Sequence, residues 1–424
     1  MIERKTSPKI VDAVDFKLHL KPYQEIELDN GVKVYAIDAG AEEVLAIEWV
    51  FFAGNSQEEQ NLVAASTNFL LRNGTKKKAA FEINEHFEYF GSYLNRSCYN
   101  ETAAITLHCL TRHVNDLLPA VRELILESTM PEDELALYKQ NMVQRLKVSL
   151  KKNDFVAGRL IDTYLYGEDH PYGVYSSEHA FDSLDRDSLY QFYKKYYQEG
   201  KLIMFVAGKL PGNLAEILNK NFGDLPNGPV SVSNPKPQPA TEKKFRIIND
   251  PDGIQGSIRI ARPFPNRHHP DFLKVQVLNS LFGGFFGSRL MSNIREDKGY
   301  TYGIHSYLQN HIGNSAWMIS TEAGKDVAEA AITEVYKEMK DLREELVDEE
   351  ELLLVRNYMM GGLLGELDGP FQIIARWKNI ILNGLTEKYF YDSIQTIKTI
   401  SAEELQQLAQ KYLQPEDFYE LVVI

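Results

Sequence analysis

Residues 183–198, SLDRDSLYQFYKKYYQ, run in register with residues 399–414, TISAEELQQLAQKYLQ, at an offset of 216 and without a gap. Leu184 answers to Ile400, Leu189 to Leu405, Phe192 to Leu408, Lys195 to Lys411, Tyr196 to Tyr412 and Gln198 to Gln414. The apolar members recur at helical spacing in both copies. Each copy then leads into an apolar run rich in strand formers, LIMFVAG (202–208) and FYELVVI (418–424). A helix followed by a strand, twice, at about half the chain length reads as an internal duplication.

Working outward, FVAGRLIDTYLYG (155–167) resembles FQIIARWKNIILNG (371–384), and NETAAITLHCL with HVNDLLPAVREL resembles GNSAWMISTEA with DVAEAAITEVYKEM. Between the copies lies PNGPVSVSNPKPQPATEKK (226–244), whose Pro, Ser, Asn and Lys read as an extended linker. The expected organisation is a first domain over 1–227, a linker over 228–243 and a second domain over 244–424. In the first copy VKVYAID, VLAIEWVFFA, YLNRSCYN, TAAITLHCL and LIMFVAG read as strands. The hairpin-like pair around Asn100 and Glu101 points to antiparallel pairing with helices on one face, an α+β fold in two homologous domains.

The chain has 424 residues, enough for two large cores, with 44 % hydrophobic and 25 % charged residues. No run approaches the ~18 apolar residues of a membrane span, so no membrane partner is expected. Against 60 acidic residues stand 46 Lys and Arg, and the net charge of −14 repels phosphate backbones, which argues against nucleic acid. Two cysteines, Cys98 and Cys109, are too few for a disulfide framework or a thiolate zinc site. The start, MIERKTSPKIVDAVDF, has no apolar stretch of a signal peptide. The expected location is the cytoplasm, or the periplasm if a leader has been removed.

Several motifs then occur in one order along the whole chain. They are VFFAGNSQEEQNLVAASTNFLLRNGT (50–75), FGSYLNRS (90–97), GEDHPYG (167–173) and LFGGFFGSRLMSNIREDKGYTYGIHS (281–306). In this combination the sequence resembles the insulinase or pitrilysin family of zinc peptidases, the group that includes mitochondrial processing peptidase. The resemblance implies a His-x-x-Glu-His helix in the first domain. Its two imidazoles hold zinc, a distant Glu completes the set, and the internal Glu acts as general base.

In this chain the stretch in register, fixed by Asn73-Gly74-Thr75 downstream, is Ala65-Ser66-Thr67-Asn68-Phe69. Ala65 and Phe69 carry no lone pair for a metal, and the amide of Asn68 cannot take or return a proton near neutral pH. The third ligand is implied some ~75 to 80 residues on. That region, ELALYKQNMVQRLKVSLKKND (134–154), has no acid between Glu134 and Asp154. Leu62, Ala65, Phe69 and Leu70 share a helix face, which suggests that the metal position has become core. No metal or cofactor is expected in this chain.

The resemblance further implies that Arg295 and Tyr302 act in trans, reaching a zinc site elsewhere in the assembly to hold the substrate carbonyl and its oxyanion. The bland alternative is a surface salt-bridge residue and a strand aromatic. Gly283, Gly284, Gly287 and Ser288, in the glycine-rich stretch, are implied to handle the substrate peptide; a P-loop is excluded because no Gly-Lys-Ser/Thr ending follows. The expectation is therefore a zinc-free subunit of a two-chain peptidase. It would lend Arg295, Tyr302 and a chamber wall to a homologous, zinc-bearing partner that cuts peptides. A structural or peptide-binding member with no part in catalysis is the alternative, and a homodimer is the alternative assembly in isolation.

Overall fold

The structure is a computed structural model that describes residues 11–230, 233 and 235–424. The leader reading over the first ten residues, and Ser231, Val232 and Asn234 of the expected linker, lie outside the described residues.

Two sheets form the frame. The first contains β1 (Gln24–Glu27), β2 (Lys33–Asp38), β3 (Val44–Phe51), β4 (Tyr93–Cys98), β5 (Ala103–Leu110) and β6 (Leu202–Gly208), in the order β1-β2-β6-β3-β5-β4. The second contains β7 (Lys244–Ile247), β8 (Gln255–Phe264), β9 (Thr301–Asn310), β10 (Ser315–Gly324) and β11 (Tyr419–Val423), in the order β7-β11-β8-β10-β9. Apart from β1 the two orders superpose strand for strand. Even the single parallel pairing recurs, β2 with β6 and β7 with β11, while the other pairings are antiparallel. The α+β duplication expected from residues 183–198 and 399–414 is present.

Those two stretches begin their helices in the same way. Asp185 accepts the Ser188 N–H at 2.8 Å at the head of Arg186–Tyr193. Ser401 accepts the Glu404 N–H at 3.2 Å at the head of Ala402–Tyr412, and the Glu404 carboxylate returns the bond to Ser401 N–H. Each cap satisfies donors that the first turn leaves free. Leu184, Leu189 and Phe192 are buried, as are Ile400, Leu405 and Leu408.

Alternation along the strands then decides where the helices go. On β3, Leu45, Ile47, Trp49 and Phe51 face the first half's own helices. Val50, with Ile37, Ala104, Phe205 and Ala207 from neighbouring strands, faces the opposite way and joins the core of the second half. The helix covering that opposite face, Pro370–Leu382, belongs to the second half. Conversely, Asn153–Tyr166 from the first half covers Ala261, Ala316, Met318, Tyr419, Leu421 and Val423 of the second sheet. Each half's own helices lie on one face, as expected, and each half lends one further helix to the other half's sheet. The two lent helices are the similar segments 155–167 and 371–384.

Polar ties reinforce this exchange. Trp377 donates to the Lys21 carbonyl at 2.8 Å, and Lys378 pairs with Glu48 at 2.8 Å. The buried Glu101 carboxylate accepts the Tyr172 hydroxyl and, at 3.1 Å, the N–H of Ile312 from the opposite half. Burial raises the Glu101 carboxyl above its ordinary range despite these bonds. His311, packed 4.1 Å from Tyr172 ring to ring, is held down to about 4 by burial and by His170 nearby.

Candidate functional site

The helix that should carry a metal motif is Val63–Leu70. It starts behind Leu62, which sits at φ 75°, a conformation strained for a non-glycine residue. The Glu58 carboxylate fixes that entry by accepting the N–H groups of Leu62 at 3.1 Å and Ala64 at 2.8 Å. Burial raises Glu58 to about 7, and the two N–H bonds oppose the rise without cancelling it.

Asn68 is buried and fully engaged. Its amide donates to the Ala104 carbonyl at 3.3 Å and to the Tyr197 hydroxyl at 3.0 Å. Phe69 turns outward, 36 % exposed, with its ring 4.7 Å from Tyr138 on the helix Glu132–Ser149. The Arg96 guanidinium stands 4.8 Å over the Phe69 ring and donates to the Phe69 carbonyl. Burial pushes Arg96 down to about 9, with the neighbouring Arg72 adding to the effect.

Of Leu62, Ala65, Phe69 and Leu70, expected together as core, Leu70 is fully buried and Leu62 packs half-buried against the core, whereas Ala65 is half-buried and Phe69 is exposed; the helix meets the core through Val63, Ala64 and Leu70, with Ser66, Thr67 and Asn68 also buried. A metal face must reach substrate; of the three residues at the motif positions Phe69 is exposed and Ala65 half-buried, whereas Asn68 is buried. The residues present do not fit zinc, because Ala65 and Phe69 offer no donor, Tyr138 packs on Phe69 from the facing helix, and a guanidinium already supplies a cation. Among the described residues no group of three His, Cys, Asp or Glu could hold a metal ion.

The second half carries the remaining predicted residues. Arg295 lies on the helical segment Met291–Asp297, with its guanidinium 4.5 Å over the Phe286 ring and a loose 3.9 Å contact to Glu296. Tyr302 stands on the edge strand β9 and is 91 % exposed. Gly283 and Gly284 end one helical segment, Ser280–Gly284, and Gly287 follows. A Cβ on Gly283 would come within 2.7 Å of Ser306 Cβ and 3.0 Å of its backbone N, so the loop lies directly on β9. A Cβ on Gly287 would meet the Phe285 ring at 2.8 Å. The glycine-rich loop, Arg295 and the strand bearing Tyr302 are thus brought together. Ser288 turns inward, with a buried hydroxyl that has no hydrogen-bond partner.

Sequence reasoning missed Glu58, Arg96 and Tyr138. Glu58 and Arg96 lie within the motif stretches 50–75 and 90–97, and Tyr138 within 134–154, but nothing in those stretches singles the three residues out.

The duplicated α+β chain thus carries Ala65, Asn68 and Phe69 where the sequence resemblance places a metal motif. Residues 183–359 match the model of the peptidase M16 inactive domain. The chain is 24 % identical over 393 residues to an uncharacterized zinc protease YmxG of Bacillus subtilis, covering 92 % of this chain and 95 % of that one. It is 23 % identical over 324 residues to a non-peptidase homolog YmxG of Helicobacter pylori, covering 74 % of each. A peptidase M16 inactive domain from Pseudomonas fluorescens has the same fold, with TM-score 0.83, 22 % identity and coverage of 95 % of this chain and 98 % of that one. Over residues 183–359 the chain is thus similar to the peptidase M16 inactive domain, and its sequence contains no His-x-x-Glu-His motif. No helix among the described residues is long and apolar enough to cross a membrane.

Proposed function

We propose that this chain is the zinc-free subunit of a two-chain M16 peptidase and completes the active site of a homologous, zinc-bearing partner. The observation that carries the reading is the exposure of Tyr302, a phenol 91 % in solvent on an edge strand, in a half that also presents the half-exposed Arg295 over the exposed Phe286. Such a group contributes little to its own fold and is available to another molecule. In the assembled site the Tyr302 hydroxyl donates to the carbonyl oxygen of the scissile peptide bond. The Arg295 guanidinium, fixed over Phe286, balances the negative charge that grows on that oxygen. The partner's zinc supplies the activated water. The loop Gly283–Ser288 lies against β9 and borders the peptide. Arg295 and Tyr302, with Gly283, Gly284, Gly287 and Ser288, are the residues assigned to this work.

The test is hydrolysis of a fluorogenic unstructured peptide by this chain, by its zinc-bearing homologue from the same cell and by the two mixed, with association checked by light scattering. Activity only in the mixture, abolished by Arg295→Ala, supports the reading. No gain on mixing at concentrations where the two associate refutes it. That outcome leaves the second reading, a structural or peptide-binding protein, which the likeness to a non-peptidase homolog favours.

A further inference from the structure

The loop between β8 and the helix Phe272–Asn279 carries Arg267, and the lent helix Pro370–Leu382 carries Arg376. Both line one cavity of about 300 Å³ in the second half. Arg267 donates to the Asn379 side chain at 2.7 Å, and Arg376 pairs with Glu366 at 2.9 Å. Each guanidinium nevertheless keeps a buried Nε without a hydrogen-bond partner. Tyr389, 9 % exposed, lines the same cavity with its hydroxyl against the Arg267 guanidinium. Unsatisfied buried donors are costly and rare. Two of them, the Nε groups, belong to arginines of this one cavity.

The charge is unbalanced as well. Arg267, Arg376 and Glu366 are the charged residues lining the cavity, so it holds a net charge of +1 in a chain of net charge −14. Burial lowers the Arg267 guanidinium from its ordinary value and the neighbouring Arg376 adds to this, while Tyr389 and Glu366 oppose it, so two cations share one carboxylate. A singly charged, planar group with two acceptor oxygens neutralises the cavity and accepts the forked donors. Leu308, Met359, Leu363 and Ile397 supply an apolar wall beside the arginines.

The cavity shares Arg267 and Asn310 with a larger cleft between the halves, of about 570 Å³. Asn55, Asn100, Asn310, Asn379 and Asn383 line that cleft. Side-chain amides both donate and accept, which is the hydrogen-bonding chemistry of an extended peptide backbone. We propose that Arg267, Arg376 and Tyr389 form a carboxylate site that holds the C-terminus of a peptide lying in the interdomain cleft, with an apolar last residue against Leu308 and Leu363. The site is separate from Arg295 and Tyr302 and needs no partner chain, so it stands or falls independently of the proposed function.

Isothermal titration of the whole chain tests it. The probes are N-acetylated Ala-Ala-Leu-Ala-Leu as the free acid, the same peptide as its C-terminal amide, hexanoate and inorganic phosphate. The free acid is expected to bind at least about ten-fold more tightly than the amide, since a charged hydrogen-bonded partner is lost. Arg267→Gln should remove about ten-fold of that affinity, and Tyr389→Phe, which deletes only a hydroxyl, a few-fold. Tyr389→Phe decides the matter if Arg267→Gln fails to fold. Hexanoate binding as tightly as the peptide would keep the carboxylate site and assign it to a small free acid. Equal binding of acid and amide, preference for phosphate, or no binding of either acid at about 1 mM would overturn the proposal.

Discussion

Reinstating the zinc motif by Ala65→His, Asn68→Glu and Phe69→His should produce a destabilised protein that does not take up stoichiometric zinc. Replacing Asn68 removes its hydrogen bonds to Ala104 and Tyr197, worth about 1 kcal/mol each. The longer Glu must enter a site that is 3 % exposed, at a further cost of about 1–3 kcal/mol. Replacing Phe69 loses its packing on Tyr138 and the Arg96 contact, together about 1–2 kcal/mol. The total is roughly 4–7 kcal/mol, a large share of the ~5–15 kcal/mol that holds a domain together. Zinc binding would have to return that energy with two imidazoles, no acid on the facing helix in the place of Tyr138, and Arg96 beside the ion. Metal content after gel filtration and a thermal melt read the outcome. The expected result is far below one zinc per chain and a midpoint lowered by on the order of 10 °C. About one zinc per chain with an unchanged midpoint would refute the argument that the site has been rebuilt around Phe69, Tyr138 and Arg96.

Three further outcomes follow from the same packing. Glu58, raised to about 7, contributes stability that is complete below its ordinary 4.5 and is lost as pH rises through 7; His311, lowered to about 4, contributes stability that is complete above 6.5 and is lost as pH falls through 4. Urea melts between about pH 3.5 and 8, which bracket both titrations, should show Glu58→Gln removing only the alkaline decline. Gly283→Ala should lower stability by roughly 1–3 kcal/mol in a thermal melt, since its Cβ meets the backbone of Ser306 and the loop must lift from β9. Trp377→Ala should cost about 3–5 kcal/mol and speed proteolysis between the halves, because it empties a buried site against Tyr23 and strands the Lys21 carbonyl.

The duplication was legible because helix periodicity and cap chemistry survive in both copies. Asp185 and Ser401 stand one offset apart and cap equivalent helices. The exchange of helices was not legible. Segments 155–167 and 371–384 read as equivalent, but an apolar helix face says nothing about which of two similar sheets it covers. The empty metal motif was plain at Ala65, Asn68 and Phe69, since a ligand is a residue type. What took its place was not, because Arg96 lies on another strand and its approach to Phe69 depends on sheet register. Arg267 and Arg376 likewise come together only through the lent helix.

The measurement closest to the central claim is the steady-state kinetics of the zinc-bearing homologue saturated with wild-type chain or with Tyr302→Phe. Removing one hydrogen bond to a developing oxyanion should lower kcat by roughly 100-fold or more, with KM and the affinity between the chains little changed. Unchanged kcat with Tyr302→Phe, at full association, would contradict a role for this chain in its partner's chemistry.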